Sequence, residues 1–202
     1  MRGELTAKGR ATRSRIVEGA AAVLRERGVA SATLDDIMAR TRTSKSQLFH
    51  YFPAGKDELL VAVAQFEADH VLEDQQPYLG RLDSWEAWEQ WRDVVIERYE
   101  AQGDECPLGS LFLQIGRSTP GARAIVIELM RRWQESLAAG IRSLQANGRL
   151  PAGLDVDARA AALLAAIQGG VSILLSTGRS THLRAALHQG IADLRRAGDA
   201  VA

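Results

Sequence analysis

The apolar residues of the chain recur mainly at intervals of three and four, which is the spacing of amphipathic α-helices. In the first third of the sequence the pattern predicts helices at Thr12–Arg27, Leu34–Thr41 and Lys45–Tyr51, and a longer one from Lys56 to beyond His70. Thr33 and Ser44 precede two of these segments and are predicted N-caps, with Ser44 and Gln47 forming a capping box. Two short helices joined by a tight turn are therefore expected between Leu34 and Tyr51.

The same spacing continues through the rest of the chain. Further helices are predicted at Ser84–Gln102, Leu108–Gly116, Pro120–Asn147, Asp155–Thr177 and Ser180–Ala197. Strand signals are nearly absent, because there is no sustained alternation of apolar and polar residues and no Asn-Gly or Asp-Gly hairpin turn. The sequence therefore predicts an all-α protein.

Composition adds a charge asymmetry to this picture. Residues 1–60 carry 11 Lys and Arg against 7 Asp and Glu, whereas residues 61–202 carry 14 against 18. A basic head on an acidic body suits a protein whose first part faces nucleic acid. The single cysteine, the lack of an apolar leader and the absence of an apolar run near the roughly 18 residues of a membrane helix lead us to expect a cytoplasmic protein without membrane contact.

The segment Leu34–Tyr51 has the pattern of a helix-turn-helix. If Leu48 and Phe52 are buried, the opposite face of the second short helix presents Lys45, Gln47, Phe49, His50 and Tyr51. Rings and cations on one exposed face suit the sugars, thymine methyl groups and phosphates of a DNA major groove. The alternative is that the two aromatic rings pack against neighbouring helices and the cations form a solvated face.

The run from Thr33 to Phe52, TLDDIMARTRTSKSQLFHYF, followed by GKDELL at residues 55–60, resembles the signature of the TetR family. Arg42 is a departure, since it stands where the family usually has glycine in the turn. The resemblance implies an N-terminal three-helix helix-turn-helix DNA-binding domain at residues 1–55 and a C-terminal helical ligand-binding and dimerisation domain at residues 56–202. It also implies a homodimeric repressor that a small hydrophobic or aromatic ligand releases from double-stranded operator DNA.

By that resemblance the operator contacts fall on Thr33, Lys45, Gln47, Phe49, His50, Tyr51 and Lys56. Lys45 and Gln47 are expected to reach base edges, because lysine favours the acceptors of guanine and glutamine the edge of adenine. Thr33 and Lys56 stand at helix N-termini, where phosphate is readily held. His50 and Tyr51 are expected to reach phosphate as well.

Large flat side chains in the C-terminal part are candidates for lining a ligand cavity. They are Trp88, Trp91, Tyr99, Phe112, Met130 and Trp133. The alternative is that the tryptophans, which stand at three-residue steps, belong to the ordinary core.

The last two predicted helices carry aliphatic stripes that one chain has few other helices to cover. A symmetric four-helix interface between two copies would cover them. The predicted interface residues are Leu163, Ile167, Val171, Leu174, Leu183, Leu187, Ile191 and Leu194.

No motif for catalysis, a cofactor or a metal emerges, so an enzyme is not expected. Two weaker alternatives remain open: Cys106 as a redox or electrophile sensor, and His70 with Glu67 and Asp74 as metal ligands. A TetR-like activator or global regulator is a weaker alternative to the repressor, because no motif in the sequence encodes the sign of regulation. A helical enzyme or small-molecule carrier with a vestigial DNA-binding head is the alternative from another class.

Overall fold

The computed structural model describes residues 5–102 and 114–199, and over these ranges the chain forms eight α-helices and no β-strand. The helices are α1 (Ala7–Arg27), α2 (Leu34–Thr41), α3 (Lys45–Tyr51), α4 (Lys56–Glu73), α5 (Trp85–Gln102), α6 (Pro120–Ala146), α7 (Val156–Thr177) and α8 (Thr181–Asp199). The predicted all-α fold is confirmed. The helix predicted at Leu108–Gly116 lies mostly outside the described residues, whose second range opens with a 3-10 turn at Ile115–Arg117.

Helix α1 begins at Ala7, earlier than the predicted start near Thr12. The hydroxyl of Thr6 accepts a hydrogen bond from the N–H of Gly9 (3.2 Å), so Thr6 is the N-cap. The added turn carries little apolar surface, and hydrophobic spacing therefore gave no signal for it. Its N-terminal cap, rather than burial, defines where this helix starts.

The chain divides into two compact units, each made of two stretches of sequence. The first comprises residues 1–71 and 107–128, and the second comprises residues 72–106 and 129–202. Helices α4 and α6 both begin in the first unit and end in the second. These units are defined by packing and differ from the predicted domains, residues 1–55 and 56–202, which were defined by function. The functional boundary after Gly55 stays a prediction.

The first unit is built around a small core between α1, α2 and α3. Its central side chains are each at most 1% exposed: Ile16, Leu24, Ile37, Leu48 and Phe52. Burying each of them contributes about 1.5–3 kcal/mol. Gly19 allows α1 to approach α2 closely, because a Cβ at that position would collide with the methyl group of Thr41.

The second stretch of the first unit joins it through two contacts. The side-chain Oε1 of Gln114 accepts a hydrogen bond from the backbone N–H of Val29 (2.7 Å), in the turn after α1. In the first turn of α6, a Cβ on Gly121 would lie 2.9 Å from a methyl group of Val61 on α4. Residues 85 and 60 positions apart are therefore in direct contact in this unit.

The second unit places three of its four tryptophans in the core and pairs α7 with α8. Trp88, Trp91 and Trp133 are fully buried, and α6 passes close to α5 at Gly140, where a Cβ would lie 2.9 Å from the Trp88 ring. Helices α7 and α8 approach closely at Gly170, where a Cβ would lie 2.6 Å from the Cα of Leu183 on α8.

Helix α7 is unusually apolar, which corrects the expectation that no segment is long and apolar enough to span a membrane. An 18-residue window within Val156–Thr177 has a mean hydropathy of 1.7, and 39% of that window is buried. The apolar residues on one side of α7 are buried against α8, as is usual for a core helix. The apolar character of its exposed side needs a separate explanation.

Candidate nucleic-acid interface

The turn between α2 and α3 is held by a network of threonine hydroxyls. Thr41 Oγ1 donates to the carbonyl of Ile37 (2.7 Å) and lies 2.9 Å from the hydroxyl of Thr43, and both threonines are buried. A guanidinium nitrogen of Arg15 on α1 lies 3.5 Å from Thr43 Oγ1. The turn therefore has little freedom to change the angle between the two helices.

Arg42 occupies the centre of this turn in the left-handed conformation, with φ 48° and ψ 47°. Among the described residues it is the one non-glycine with positive φ. Such a conformation costs about 1–3 kcal/mol in a residue that carries a Cβ, whereas glycine adopts it freely. The departure from glycine noted in the sequence therefore places an arginine in a strained backbone conformation.

The N-terminus of α2 is closed by a reciprocal capping box between Thr33 and Asp36. The Asp36 N–H donates to Thr33 Oγ1 (3.1 Å), while the Thr33 N–H (3.0 Å) and hydroxyl (2.7 Å) donate to the Asp36 carboxylate. These bonds from Thr33, reinforced by Arg27 at 2.5 Å, hold the pKa of Asp36 below its ordinary value. Thr33 is exposed, so its backbone and side chain border solvent at the start of α2.

Helix α3 buries one side and exposes the other. Ser44 is its N-cap, as predicted, and accepts from the Gln47 N–H (3.2 Å); the complete capping box forms at α2 instead. Leu48 and Phe52 are fully buried. The exposed side chains of α3 include Lys45, Phe49 (38% exposed) and His50.

The other predicted contact residues of α3, Gln47 and Tyr51, are half-buried. The ring of Tyr51 meets the ring of His50 edge to face, with centroids 4.9 Å apart. The structure thus gathers the five predicted α3 residues on one short helix, three of them exposed and two at the margin. An exposed phenylalanine beside a lysine and a histidine is a surface able to contact both the apolar and the charged parts of DNA.

Lys56 has a role that the sequence analysis missed. Its ammonium group donates to the carbonyls of Val29 (2.9 Å) and Ala32 (2.6 Å), so it ties the start of α4 to the loop that precedes α2. Lysine has three N–H donors, and two of them are used here. Lys56 therefore positions the N-terminus of α2, and one donor is left for a phosphate.

Behind this surface, α1 and α4 are joined by an ion pair between Arg25 and Glu67. The Glu67 side chain is 1% exposed and the Arg25 side chain 24% exposed. Burial raises the pKa of Glu67 above its ordinary value, and the charge and hydrogen bond of Arg25 oppose this shift only in part. No group of three or more His, Cys, Asp or Glu side chains suited to a metal ion occurs within residues 5–102 and 114–199.

The predicted ligand-lining residues are mostly core residues of the second unit. Trp88, Trp91, Tyr99 and Trp133 are buried, Met130 at the start of that unit is half-buried, and Phe112 lies outside the described residues, as does Cys106. The indole N–H of Trp88 donates to the carbonyl of Leu82 (3.2 Å), and that of Trp91 to the side-chain oxygen of Gln75 (3.0 Å).

All eight predicted interface residues of α7 and α8 are buried inside the chain itself, each at most 6% exposed. They form the contact between the two helices, because the stripe of one faces the stripe of the other. The outer face of α7 carries mainly small uncharged residues, and no charged residue stands between Arg159 and Arg179. Ile173, on this face, is 36% exposed.

Comparison with known proteins identifies two family models along the chain. A model described as "Bacterial regulatory proteins, tetR family" matches residues 16–63, and a model described as "Tetracyclin repressor-like, C-terminal domain" matches residues 82–190. The first match covers α1 to α3 and the start of α4. The second covers more than half of the chain.

Curated relatives and solved structures agree with these matches. An uncharacterised HTH-type transcriptional regulator of Mycobacterium tuberculosis is 24% identical over 110 residues, which make up 52% of this chain and 53% of that protein, so the chain spans about half of that relative's length. The transcriptional regulator AcuR of Cereibacter sphaeroides is 27% identical over 151 residues, 73% of this chain and 69% of that protein. A TetR transcriptional regulator from Chloroflexus aurantiacus has the same fold, with a TM-score of 0.76 at 24% identity over 93% of this chain and 96% of that one.

Proposed function

Because the chain belongs to the TetR family of bacterial transcriptional regulators, we propose that it is a repressor that binds operator DNA in the cytoplasm through α2 and α3. The observation that carries this proposal is the exposed face of α3, where the side chains of Lys45, Phe49 and His50 are accessible to solvent and take no part in the core. The likeness of the C-terminal part to repressors supports the negative sign of regulation. The matched families are regulators and not enzymes.

Within this proposal the α3 side chains divide the recognition of DNA. Lys45 and Gln47, in the first turn of α3, reach base edges in the major groove, where a helix of this width fits. Phe49 packs on sugars and thymine methyl groups. Thr33, His50 and Tyr51 contact phosphates, and Lys56 both orients the start of α2 and offers its third N–H to the backbone.

The regulator is proposed to act as a homodimer through the outer faces of α7 and α8. An exposed apolar surface of this length favours a partner, since monomers rarely expose large contiguous apolar patches. A second copy of the same face fits best, because small exposed residues such as Ala165 and Gly169 allow helix backbones to approach closely. No charged residue interrupts the outer face of α7 between Arg159 and Arg179. A two-fold dimer would present two α3 helices to DNA.

Control by a small molecule completes the proposal. The second unit buries three tryptophans, and aromatic side chains are typical linings of ligand sites. Trp88, Trp91, Tyr99, Phe112, Met130 and Trp133 are the proposed surroundings of a hydrophobic or aromatic effector. Its binding would lower the affinity for the operator.

Selection from a pool of randomised 30-bp duplexes, followed by gel shift and footprinting, tests the proposal. We expect an enriched near-palindrome whose half-site centres lie one helical turn, about 34–36 Å, or a multiple of it apart. The variant Lys45→Met, which removes an exposed cation and leaves the core intact, is expected to lose the shift. Recovery of no sequence above background, or an isolated half-site bound as tightly as the full site, contradicts the proposal.

A further inference from the structure

Trp133 on α6 carries a buried hydrogen-bond donor without a partner. The side chain is fully buried, and its Nε1 has no acceptor within hydrogen-bond distance. The two other fully buried tryptophans differ in this one respect, since Trp88 donates to the carbonyl of Leu82 and Trp91 to the side chain of Gln75. Trp133 is therefore the exception among three otherwise similar residues.

An indole nitrogen can only donate a hydrogen bond, so Trp133 Nε1 needs an acceptor that the described residues do not supply. Buried N–H groups are nearly always paired, because an unpaired one costs free energy comparable to a lost hydrogen bond. Trp133 stands two helical turns before Gly140, which faces Leu82 and Trp88. The unpaired donor thus lies on the face of α6 that packs into the interior of the second unit.

Charge restricts what can supply that acceptor. In the described part of the second unit no Asp, Glu, Lys or Arg is buried, and Gln75, its one buried polar residue, already accepts from Trp91. An ionised molecule next to Trp133 would lose its hydration without gaining a counter-ion. The described part of the second unit holds two more unpaired buried donors, Gln168 Nε2 on α7 and Arg195 Nε on α8, and the charge of Arg195 is already paired with Glu89. The interior therefore favours a neutral molecule that accepts hydrogen bonds.

We propose that Trp133 Nε1 is the hydrogen-bond donor to the effector of this regulator, and that the effector is a neutral, largely apolar molecule with a carbonyl or similar oxygen acceptor. The inference rests on the proposed function in assuming that the second unit binds an effector. It adds the class of molecule and the atom that recognises it.

Nuclear magnetic resonance of the full chain with ¹⁵N-labelled tryptophan tests this proposal directly. The probes are three ketones, each with an alkene of nearly equal shape: acetophenone with α-methylstyrene, benzophenone with 1,1-diphenylethylene, and 2-undecanone with 2-methyl-1-undecene. We expect at least one ketone to move the Trp133 indole N–H resonance downfield and saturably, while its alkene does not. The indole resonance of Trp85, which lies outside the proposed surroundings of the effector and under the Arg195 guanidinium, serves as the internal control.

The variant Trp133→Phe keeps an aromatic ring and removes the donor. It is expected to weaken binding of the responding ketone about 5–10-fold and to leave alkene binding unchanged. In the variant without ketone, Trp88 and Trp91 resonances at their wild-type positions show that the protein is folded. If no ketone moves the Trp133 resonance, or if alkenes bind as tightly as their ketones, the proposal is overturned. DNA binding is measured separately with the selected duplex, so a failure there alone overturns the proposed function instead.

Arg42 supports a second, independent inference. Arg42 holds a left-handed conformation that glycine would adopt without strain, and backbone strain concentrates at functional positions. Nearby cations are already paired, Arg40 with Glu26 and Arg27 with Asp36, whereas Arg42 is exposed and has no ion-pair partner in the described chain. We propose that Arg42 binds a DNA phosphate at the edge of the groove that α3 enters.

Substitutions at Arg42 separate its charge from its strain. Arg42→Gly is expected to raise Tm by about 2–4 °C, because it relieves the turn. It should also weaken binding to the selected duplex and reduce the slope of log affinity against log salt by about one per half-site. Arg42→Asn, which tolerates the left-handed conformation, should lower the slope equally, and Arg42→Lys should preserve it. An unchanged slope in Arg42→Gly and Arg42→Asn overturns the phosphate contact, while absence of wild-type binding overturns the proposed function.

Discussion

At the scale of single residues, Trp91 and Trp133 form a matched pair that differs in one hydrogen bond. Both are fully buried, but only Trp91 has a partner for its indole nitrogen. The variant Trp91→Phe removes the hydrogen bond from the indole N–H to the Gln75 side chain. The variant Trp133→Phe removes an indole N–H that has no acceptor, so it breaks no hydrogen bond. We therefore expect Trp91→Phe to lower the free energy of unfolding by about 1–3 kcal/mol more than Trp133→Phe. Urea unfolding of both variants measures the difference, and equal losses would contradict it.

Glu67 makes stability depend on pH in a defined direction. Its pKa in the folded chain is raised by burial, so the folded state binds a proton more tightly than the unfolded state does. The wild type should therefore gain stability relative to Glu67→Gln as pH falls from neutral through that raised pKa, and the gain should level off below about 4.5, the ordinary value. Urea unfolding of both proteins between pH 4 and 7.5 tests this. A difference that is constant with pH, or that shrinks as pH falls, would show that Glu67 is not perturbed in this way.

At the scale of elements, two lysines on neighbouring helices should behave in opposite ways. Lys45 on α3 is exposed, whereas Lys56 on α4 ties down two carbonyls before α2. Lys45→Met should leave unfolding nearly unchanged and abolish most operator binding. Lys56→Met should lower the free energy of unfolding by about 1.5–3 kcal/mol, the range for hydrogen bonds to charged groups. Thermal unfolding and gel shifts of both variants are the measurements, and a stable Lys56→Met protein is the contrary result.

The helix-turn-helix was the most predictable part of the molecule because its signals are local. Thr33 and Ser44 act as caps, and Leu48 and Phe52 are buried. Arg42, in the position where the resemblance has glycine, takes the left-handed conformation that glycine adopts freely. Caps and turns depend on a few consecutive residues, and the spacing of apolar residues fixes which side of a short helix faces inward.

Features that depend on distant partners escaped the sequence analysis. The spacing in α7 and α8 identified aliphatic stripes, but the same stripe serves a contact within the chain or between chains, and here the stripes face each other. The carbonyl partners of Lys56 are 24 and 27 residues away, and Gln114 meets Val29 across 85 residues. No local pattern encodes such pairs.

At the scale of the whole molecule, the proposed dimer makes a prediction about the outer face of α7. Ala165→Glu and Ile173→Glu place a charge on this face without disturbing the buried stripes. Both should convert dimers to folded monomers in sedimentation experiments and weaken operator binding. Ala139→Glu, on an exposed position of α6, is the matched control and should remain dimeric. A monomeric wild type at micromolar concentration, or dimeric charge variants, would exclude this interface.

Effector and operator are expected to oppose each other's binding by the same factor. Helix α4 begins beside the proposed DNA-binding surface and ends in the unit that holds the tryptophans, so its position can respond to both. Coupling of about 1–3 kcal/mol corresponds to a 5–150-fold change in affinity. Calorimetric titration of the ketone identified above, with and without the selected duplex, measures the factor. Equal ketone affinities in the two titrations would contradict the coupling and show that the ketone does not control DNA binding.

The hydrogen bond from the Val29 N–H to the Gln114 side chain affects the design of chimeras between such regulators. A hybrid that joins the N-terminal part of one regulator to the C-terminal part of another has a single crossover, and a crossover between the end of α3 and residue 114 takes Val29 from one parent and position 114 from the other. A parent without a suitable acceptor there leaves the Val29 N–H to water, in the loop that also sets the start of α2. We therefore expect chimeras that take residues 114–128 from the same parent as α1 to be more stable than chimeras with a single crossover.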